Sequence, residues 1–450
     1  MKLSPKIFFV SSILFAQNIF SQESSLDMGE LIGKESFWQQ SCVDFIQEYS
    51  NYGFKYSDSK RRSATSQKSN LVSYKNIPSM ETRCYFAKGA MSKVEMFLFN
   101  KGDAKNPNSF SKDELMKLVA TVSEKITPEG KNIPKEKYRM SEINHSKAYV
   151  YTRKWTDIKP SATLMWGFSG PRGSEKVEFL RLSFSNEETS ISESERKQGS
   201  SAKATKSSVL SNKKTNSEGD VWVANVPMVD QGQKGYCAVA VAERVLRYYG
   251  NDIDEHQIAQ MAGSSADGGT DVGKMITAIE AIGKKCRLGL AHVARSNFSL
   301  GKLEKQIATY NQVAKKEGKK PLNISNYIVK SGSLITYYPT KIYEDMDPKI
   351  VKLMALKDGS GYKRFSKGVR QQINAGIPLF WGVTLGIFKE PELHQQTFGG
   401  HMRLIIGYND ETKEIIYTDS WGVGHELKRM PEDWAWAITK NVFYLKPPKK

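Results

Sequence analysis

The feature that most constrains the fold of this 450-residue chain is a segment near its middle that cannot form a core. Residues 189–219 are dominated by Ser, Thr, Lys and Gly, and between Arg196 and Ser217 there are six basic residues and no acidic one. A segment of this composition buries too little apolar surface to offset the entropy lost when it is ordered. We therefore predict a flexible linker at 189–219 that separates two domains and is open to proteolytic nicking.

Residues 22–188 have the pattern of a small, separate α+β domain. Ser111 and Glu114 form a capping box ahead of apolar residues at helical spacing, and Phe37 to Tyr52 also predicts a helix. Strands are predicted at Val94–Phe99, Ala148–Tyr151, Thr163–Phe168 and Val177–Phe184. Together these elements predict a sheet with helices on one side.

Residues 220–450 predict a larger domain in which helices precede strands. The helical patterns lie at 237–249, 254–261, 271–282, 299–317 and 363–375, the last ending at Gly376 in a C-cap position. The strand patterns lie at Leu379–Leu385, Met402–Tyr408, Glu414–Thr418 and Val442–Leu445. Helices followed by an antiparallel sheet indicate an α+β fold rather than a parallel α/β fold.

The amino terminus has the pattern of an export signal. Lys2 and Lys6 precede an apolar segment at 7–16, which has the length of a signal-peptide core and is too short to span a bilayer. We expect residues 1–21 to be a signal peptide and the mature protein to be soluble and exported to the periplasm, the cell surface or the medium. We expect neither a transmembrane segment nor a lipid anchor, because no other apolar segment is long enough and no cysteine closely follows this one.

The chain contains only four cysteines, too few for a fold built on disulfides. Cys42 and Cys84 lie in the amino-terminal domain and could form a disulfide in an oxidising compartment. Cys237 and Cys286 lie in the other domain, where Cys286 is interpreted as structural.

A formal net charge of +18 makes acidic surface polymers possible partners. No single predicted helix or strand concentrates this charge, so a generally basic surface is the simpler interpretation and no nucleic-acid partner is expected. No spacing of His, Cys and Asp matches a metal site, and we predict neither a metal nor a cofactor. His425 is interpreted as a surface residue.

Cys237 has the sequence setting of a catalytic nucleophile. A glycine-containing loop precedes it, and residues 238–242 are all apolar, which predicts a buried helix with Cys237 in its first turn. The positive end of the helix dipole favours the thiolate, which is the reactive form. Gln231, six residues upstream, can donate a hydrogen bond to an oxyanion, and Gln233 is the alternative.

A predicted hairpin around 409–413 supplies the candidate base. One register of this hairpin places His401 opposite Asp419, and the other places Arg403 opposite Asp419 with His401 as its diagonal neighbour. In either register the carboxylate can orient the imidazole and hold its tautomer. His394, in the loop before the hairpin, is the alternative base.

These motifs resemble those of papain-like cysteine peptidases. The six-residue spacing from Gln231 to Cys237 is that family's spacing from oxyanion glutamine to nucleophile, and Asp419-Ser420-Trp421-Gly422 is similar to its Asn-Ser-Trp-Gly motif. The apolar helix after Cys237 and the strand after His401 most resemble those of the bacteriocin-processing, double-glycine peptidases. These enzymes also have Asp, as Asp419 here, in place of the Asn of the Asn-Ser-Trp-Gly motif. The resemblance covers residues 220–445.

The resemblance implies a papain-like fold, with a nucleophile helix packed on an antiparallel sheet, and hydrolysis of peptides or proteins through an acyl-enzyme thioester. The implied roles are nucleophile for Cys237, base for His401, orienting group for Asp419 and oxyanion donor for Gln231. Trp421 would be either a shield for the His–Asp contact or a core residue. Ala238 replaces the family's usual glycine and no transporter membrane domain is evident, so the double-glycine leader substrate does not carry over.

Other functions fit the same residues. A secreted binding or adhesion protein on a papain-like scaffold would need no catalysis, and an amidase or transglutaminase-type acyltransferase would use the same triad. The amino-terminal domain could be an inhibitory pro-region, a substrate- or surface-binding module, or a structural partner of the larger domain. Its own capping, helices and sheet favour the binding module.

Overall fold

The structure is a computed structural model that describes residues 25–69, 71–101, 110–143, 146–171, 173–186, 205–231, 237–251, 258, 272–295, 300–331, 334–337, 339–390 and 398–447. The predicted signal peptide, the first half of the predicted linker and most of the predicted helix at 254–261 lie outside these residues.

The amino-terminal domain is built on an eight-stranded antiparallel sheet. Its helices are α1 (Met28–Ile32), α2 (Glu35–Gln39), α3 (Cys42–Tyr49) and α4 (Lys112–Ile126). Its strands are β1 (Leu26–Asp27), β2 (Lys55–Tyr56), β3 (Ser63–Ser66), β4 (Val72–Tyr74), β5 (Ile77–Pro78), β6 (Glu81–Ala87), β7 (Ala90–Asn100), β8 (Lys137–Ile143), β9 (Ser146–Trp155), β10 (Ser161–Ser169) and β11 (Lys176–Ser185). The order in the large sheet is β2-β3-β6-β7-β11-β10-β9-β8, while β1, β4 and β5 form a separate small sheet.

The predicted elements of this domain are confirmed with one exception. Ser111 and Glu114 form the reciprocal capping box, and the apolar face of α4 is buried in the core. The predicted helix from Phe37 to Tyr52 is instead two helices and a 3-10 turn. The break occurs because Ser41 caps a new helix, its side chain accepting a hydrogen bond from the main chain of Asp44.

The carboxy-terminal domain surrounds a second eight-stranded antiparallel sheet. Its helices are α5 (Lys206–Leu210), α6 (Cys237–Tyr248), α7 (Val272–Lys285), α8 (Leu300–Lys316), α9 (Pro339–Glu344), α10 (Pro348–Leu356), α11 (Gly359–Asn374) and α12 (Glu432–Ile438). Its strands are β12 (Lys213–Thr215), β13 (Asp220–Val223), β14 (Gly289–Arg295), β15 (Ile328–Ser331), β16 (Leu334–Tyr337), β17 (Leu379–Leu385), β18 (Gly399–Asn409), β19 (Glu414–Thr418), β20 (Lys428–Pro431) and β21 (Thr439–Lys446). Strands β15 and β16 form a separate hairpin.

The sheet of this domain has a hydrophobic core on each face. Its strand order is β12-β13-β18-β17-β21-β14, with β19 pairing both β18 and β20. Met402 and Leu404 of β18 are buried with the apolar side of α6 and α7. Ile405 of the same strand is buried with residues of α8, α10, α11 and α12 on the opposite face. The alternation of strand side chains thus places α6 and the bulk of the helices on opposite sides of β18.

The prediction that the linker extends to residue 219 is wrong at its carboxy-terminal end. Thr205 and Ser208 form a capping box that starts α5, whose Val209 is buried. Strand β12 pairs with β13 in the large sheet. Gly376, at φ +74°, lets α5 approach closely, since a Cβ there would lie 2.0 Å from the Val209 main-chain oxygen. Capping and one buried valine therefore overcome a composition that predicts disorder.

Candidate active site

Cys237 is the first residue of α6, and its thiol lies beside His401. The residue is partly exposed, whereas the residues that follow it in the helix are buried. Burial alone would raise the pKa of the thiol, but the charge and hydrogen bond of His401 and the main-chain N–H groups of Met402 and Ala238 outweigh it. The pKa of Cys237 therefore lies below its ordinary value, which favours the thiolate.

The hairpin that carries the imidazole has the second of the two predicted registers near the site. Leu404 of β18 pairs with Thr418 of β19. Continuing by one residue places Arg403 opposite Asp419, with His401 as the diagonal neighbour. A bulge nearer the turn shifts the pairing by one residue, and no feature of the sequence signals it.

His401 and Asp419 form a buried hydrogen-bonded pair. The Nε2 atom of His401 lies 3.0 Å from Asp419 Oδ1, which leaves Nδ1 as the ring nitrogen available to Cys237. Burial would lower the pKa of His401, but the negative charges of the Cys237 thiolate and Asp419 outweigh burial and raise it. The structure thus brings together three of the four residues singled out from the sequence in the order Cys237, His401, Asp419.

Trp421 covers one face of the imidazole. Its ring is stacked on that of His401, with centroids 4.4 Å apart and an interplanar angle of 13°. The rings of Trp421 and His425 form a T-shaped pair, with centroids 5.4 Å apart. The prediction that His425 is a surface residue is wrong: the side chain is buried, because its main-chain oxygen accepts a hydrogen bond from the Asp419 N–H at 3.0 Å and holds the loop inward.

Asp419 lies between two cations, Arg403, which the second predicted register places opposite it, and Lys428, which the sequence analysis did not single out. Its Oδ1 atom lies 2.9 Å from Arg403 Nε, and its Oδ2 atom accepts a hydrogen bond from Lys428 Nζ at 3.2 Å. Burial would raise the pKa of this carboxyl, but Arg403, His401 and Lys428 hold it well below its usual range. Arg403 is itself fully buried and forms a two-pronged ion pair with Glu390.

A buried arginine on the nucleophile helix was also missed. Arg244 lies two turns after the nucleophile, on the same side of α6. Its guanidinium donates hydrogen bonds to the main-chain oxygens of Pro227 and Asp419 and to the hydroxyl of Thr418, each at 2.7 Å. It therefore joins the nucleophile helix to the segment that leads to Gln231 and to the end of β19. The helical pattern contains both Arg244 and Arg247, and nothing in the sequence singled out Arg244 for this role.

Gln231 is buried next to the same loop. Its main-chain N–H donates to the Ser420 main-chain oxygen at 2.8 Å, which fixes residue 231 against the residue that follows Asp419. The alternatives Gln233 and His394 lie outside the described residues.

Cys286 is partly buried, and its thiol has a raised pKa because of burial. Within the described part of the chain, no group of His, Cys, Asp and Glu could hold a metal ion.

The amino-terminal domain contacts the loop that carries Trp421. The main-chain N–H of Ser59 donates to Glu426 Oε1 at 2.9 Å, while Glu426 Oε2 accepts from Gly424 within the loop at 2.8 Å. Gly422 adopts φ +79°, and a Cβ there would lie 3.7 Å from the Ser57 main-chain oxygen. One carboxylate thus ties the loop beside the imidazole to the other domain.

Comparison with known sequences gives a family match within the carboxy-terminal domain. Residues 223–444 match the sequence model of the Peptidase_C39 like family. This match supports the resemblance of the carboxy-terminal domain to the papain-like cysteine peptidase superfamily. No curated protein matches the chain by sequence.

Among solved structures, the chain is similar to xylellain, a cysteine protease from Xylella fastidiosa. The two are 14% identical, with a TM-score of 0.25, over 54% of this chain and 89% of xylellain. The family match to the peptidase domain points to a cysteine peptidase with peptide substrates. No helix among the described residues combines the length and apolarity needed to cross a bilayer.

Proposed function

We propose that this protein is an exported cysteine-type peptidase that hydrolyses peptide bonds with Cys237 as nucleophile, His401 as base and Asp419 as orienting group. The observation that carries the proposal is the convergence of a low-pKa thiol at the start of a buried helix, an imidazole in hydrogen-bond contact with it, and a carboxylate 3.0 Å behind the ring. A scaffold used only for binding needs none of these contacts.

In the acylation step, the Cys237 thiolate attacks the carbonyl carbon of the scissile bond and forms a C–S bond. The oxyanion would accept hydrogen bonds from the Gln231 amide and the Cys237 main-chain N–H. The His401 imidazolium then donates its proton to the leaving nitrogen as the C–N bond breaks. The products are a free amine and a thioester on Cys237.

In the deacylation step, water attacks the thioester carbonyl while His401 accepts a proton from it. The C–S bond breaks, a carboxylic acid leaves, and the thiolate–imidazolium pair is restored. Asp419 keeps Nδ1 of the ring directed at the sulfur by holding Nε2. Trp421 would keep water away from the His–Asp contact through its stacking on the ring.

The export signal at residues 1–21 supports action outside the cytoplasm, in the periplasm, at the cell surface or in the medium. Peptides or proteins are the proposed substrates. The formal net charge of +18 supports attraction to acidic surface polymers, which would hold the enzyme close to anionic surfaces.

The test compares Cys237→Ala with Cys286→Ala, which removes the other cysteine of the same domain. Both variants and the wild type are incubated with a peptide library, and the products are read by mass spectrometry. Wild type and Cys286→Ala should cleave peptides and be labelled by a thiol-directed peptidase inhibitor, while Cys237→Ala should do neither. Normal cleavage by Cys237→Ala would refute the proposal, and transfer of acyl groups to added amines in place of hydrolysis would indicate an acyltransferase.

A further inference from the structure

Two cations share the carboxylate that orients the imidazole. Asp419 Oδ1 lies 3.0 Å from His401 Nε2 and 2.9 Å from Arg403 Nε, so the same oxygen faces the imidazole and a guanidinium. The other oxygen accepts a hydrogen bond from Lys428 Nζ at 3.2 Å. Asp419 and Arg403 are completely buried and Lys428 is nearly so, which makes these charges act with little screening by water.

The guanidinium is in turn held by a second buried carboxylate. Arg403 Nη1 and Nη2 lie 3.0 and 2.9 Å from the two oxygens of Glu390. The Tyr417 hydroxyl donates to Glu390 at 2.5 Å, and the Tyr417 ring lies under the guanidinium at 4.7 Å. The guanidinium is therefore fixed in place by contacts on the side away from Asp419.

We infer that Arg403 is a positioning residue which, with Lys428, cancels the charge of Asp419, so that the carboxylate orients His401 as a nearly neutral acceptor would. Glu390 limits the effect by partly offsetting the charge of Arg403. This inference rests on the proposed function, in which His401 must both hold a proton and release it to the leaving amine.

The physical reason lies in what a bare carboxylate would do. An uncompensated buried aspartate next to an imidazole favours the imidazolium strongly, and His401 would then give up its proton too reluctantly. A compensated aspartate keeps the directional hydrogen bond but contributes less charge.

The charged and titratable groups that face His401 come from several elements. Cys237 faces it from α6, Asp419 from the end of β19, Arg403 from its own strand and Lys428 from β20. Across Trp421 lies His425, in the loop between β19 and β20. Among the charged and titratable groups in the described part of the chain, Cys237 and Asp419 are the two that touch the imidazole directly. Cys237 is therefore the group whose titration must be removed to isolate the effect of the carboxylate.

The test measures the pKa of His401 directly. The full chain is prepared with 13C-labelled histidine in a Cys237→Ala background, and the His401 resonance is assigned by its loss in His401→Gln. Arg403→Gln should raise the pKa of His401 by about one pH unit, and Lys428→Gln should raise it by a smaller amount, because each removes a positive charge near the ring. Glu390→Gln should lower it, because the charge of Arg403 is then no longer offset.

The opposite signs separate charge compensation from simple support. Arg403→Gln and Glu390→Gln break the same ion pair, so a structural role alone would shift the pKa of His401 in the same direction in both variants, or in neither. Either result would overturn the inference. If Arg403→Gln does not fold, Lys428→Gln decides, and an unchanged or lowered pKa in that variant would overturn it. Because the background lacks the nucleophile, failure of the proposed peptidase activity leaves this measurement unaffected.

Discussion

Replacement of Arg244 by methionine should destabilise the peptidase domain and displace its nucleophile. Methionine fills a similar volume in the buried site but offers no donor. It would leave the main-chain oxygens of Pro227 and Asp419 and the Thr418 hydroxyl without the hydrogen bonds of 2.7 Å that each accepts from the guanidinium. These groups are enclosed around a side chain that is 2% exposed, so water cannot simply replace the arginine.

The size of the effect follows from those bonds. Each buried acceptor left without its donor costs about 1–3 kcal/mol, and for three such acceptors with partial relaxation we expect about 4 kcal/mol for Arg244→Met. At roughly 2–4 °C per kcal/mol for a domain of this size, the melting temperature should fall by about 8–16 °C. Arg244→Lys should recover only about 1 kcal/mol, since an ammonium group lacks the fork geometry that reaches three acceptors at once.

The assay combines calorimetry with hydrogen exchange read by mass spectrometry. In Arg244→Met, the amides of α6 and of residues 418–420 should lose protection together, because the guanidinium joins these segments. Turnover should fall about 100-fold in kcat, since a displacement near 1 Å at the nucleophile is enough for such a loss. Arg364→Met, an exposed arginine of α11, is the matched control and should stay within about 0.5 kcal/mol of wild type. Wild-type stability with unchanged protection in Arg244→Met would show that the guanidinium does not join the two segments.

Three further results are expected. Ser59→Pro removes the N–H that binds Glu426 and should lower kcat/KM about 5-fold, whereas Ser59→Ala keeps the N–H and should match wild type in the same kinetic assay. At about pH 6, iodoacetamide should modify Cys237 at least about ten times faster than Cys286, because the pKa of the first thiol is lowered and that of the second raised; equal rates in peptide mapping would contradict the thiolate assignment. Gly376→Ala should lower stability by about 3 kcal/mol or more in a urea titration, since its Cβ would overlap a main-chain oxygen of α5 and its φ is +74°; a loss below about 1 kcal/mol would mean that α5 gives way.

The elements of the site could be predicted from sequence because each rests on local patterning. Residues 238–242 are all apolar and predict the buried helix behind Cys237, and the turn at 409–413 limits the hairpin to two registers that both bring Asp419 near His401. Choosing between those registers needs the bulge in β18, which depends on packing against both neighbouring strands. Sequence alone therefore located the imidazole and carboxylate but not their exact pairing.

The full set of charged residues around Asp419 could not be predicted for a different reason. One hairpin register predicts Arg403 opposite Asp419, but Lys428 lies on another strand and Glu390 precedes β18 by nine residues, so no spacing rule links these two residues to the site. Arg403 and Lys428 meet because β18 and β20 lie on either side of β19 and turn these side chains towards its end. The predicted end of the linker at residue 219 was wrong for a similar reason. The burial of Val209 against the domain is a tertiary contact, which amino-acid composition cannot predict.

The contact between domains bears on what the amino-terminal domain does. An inhibitory pro-region must occupy the approach to the thiol, but the hydrogen bond from Ser59 ends on Glu426, in the loop whose Trp421 lies against the imidazole. A contact of this kind supports the loop and gives no reason for activity to rise when the linker is cut. The amino-terminal domain has its own capping, helices and sheet, which a binding module would also have. These features do not explain why the domain binds Glu426, five residues after Trp421 in the sequence. We therefore favour a structural partner, and the kinetic difference between Ser59→Pro and Ser59→Ala measures how much the catalytic centre depends on it.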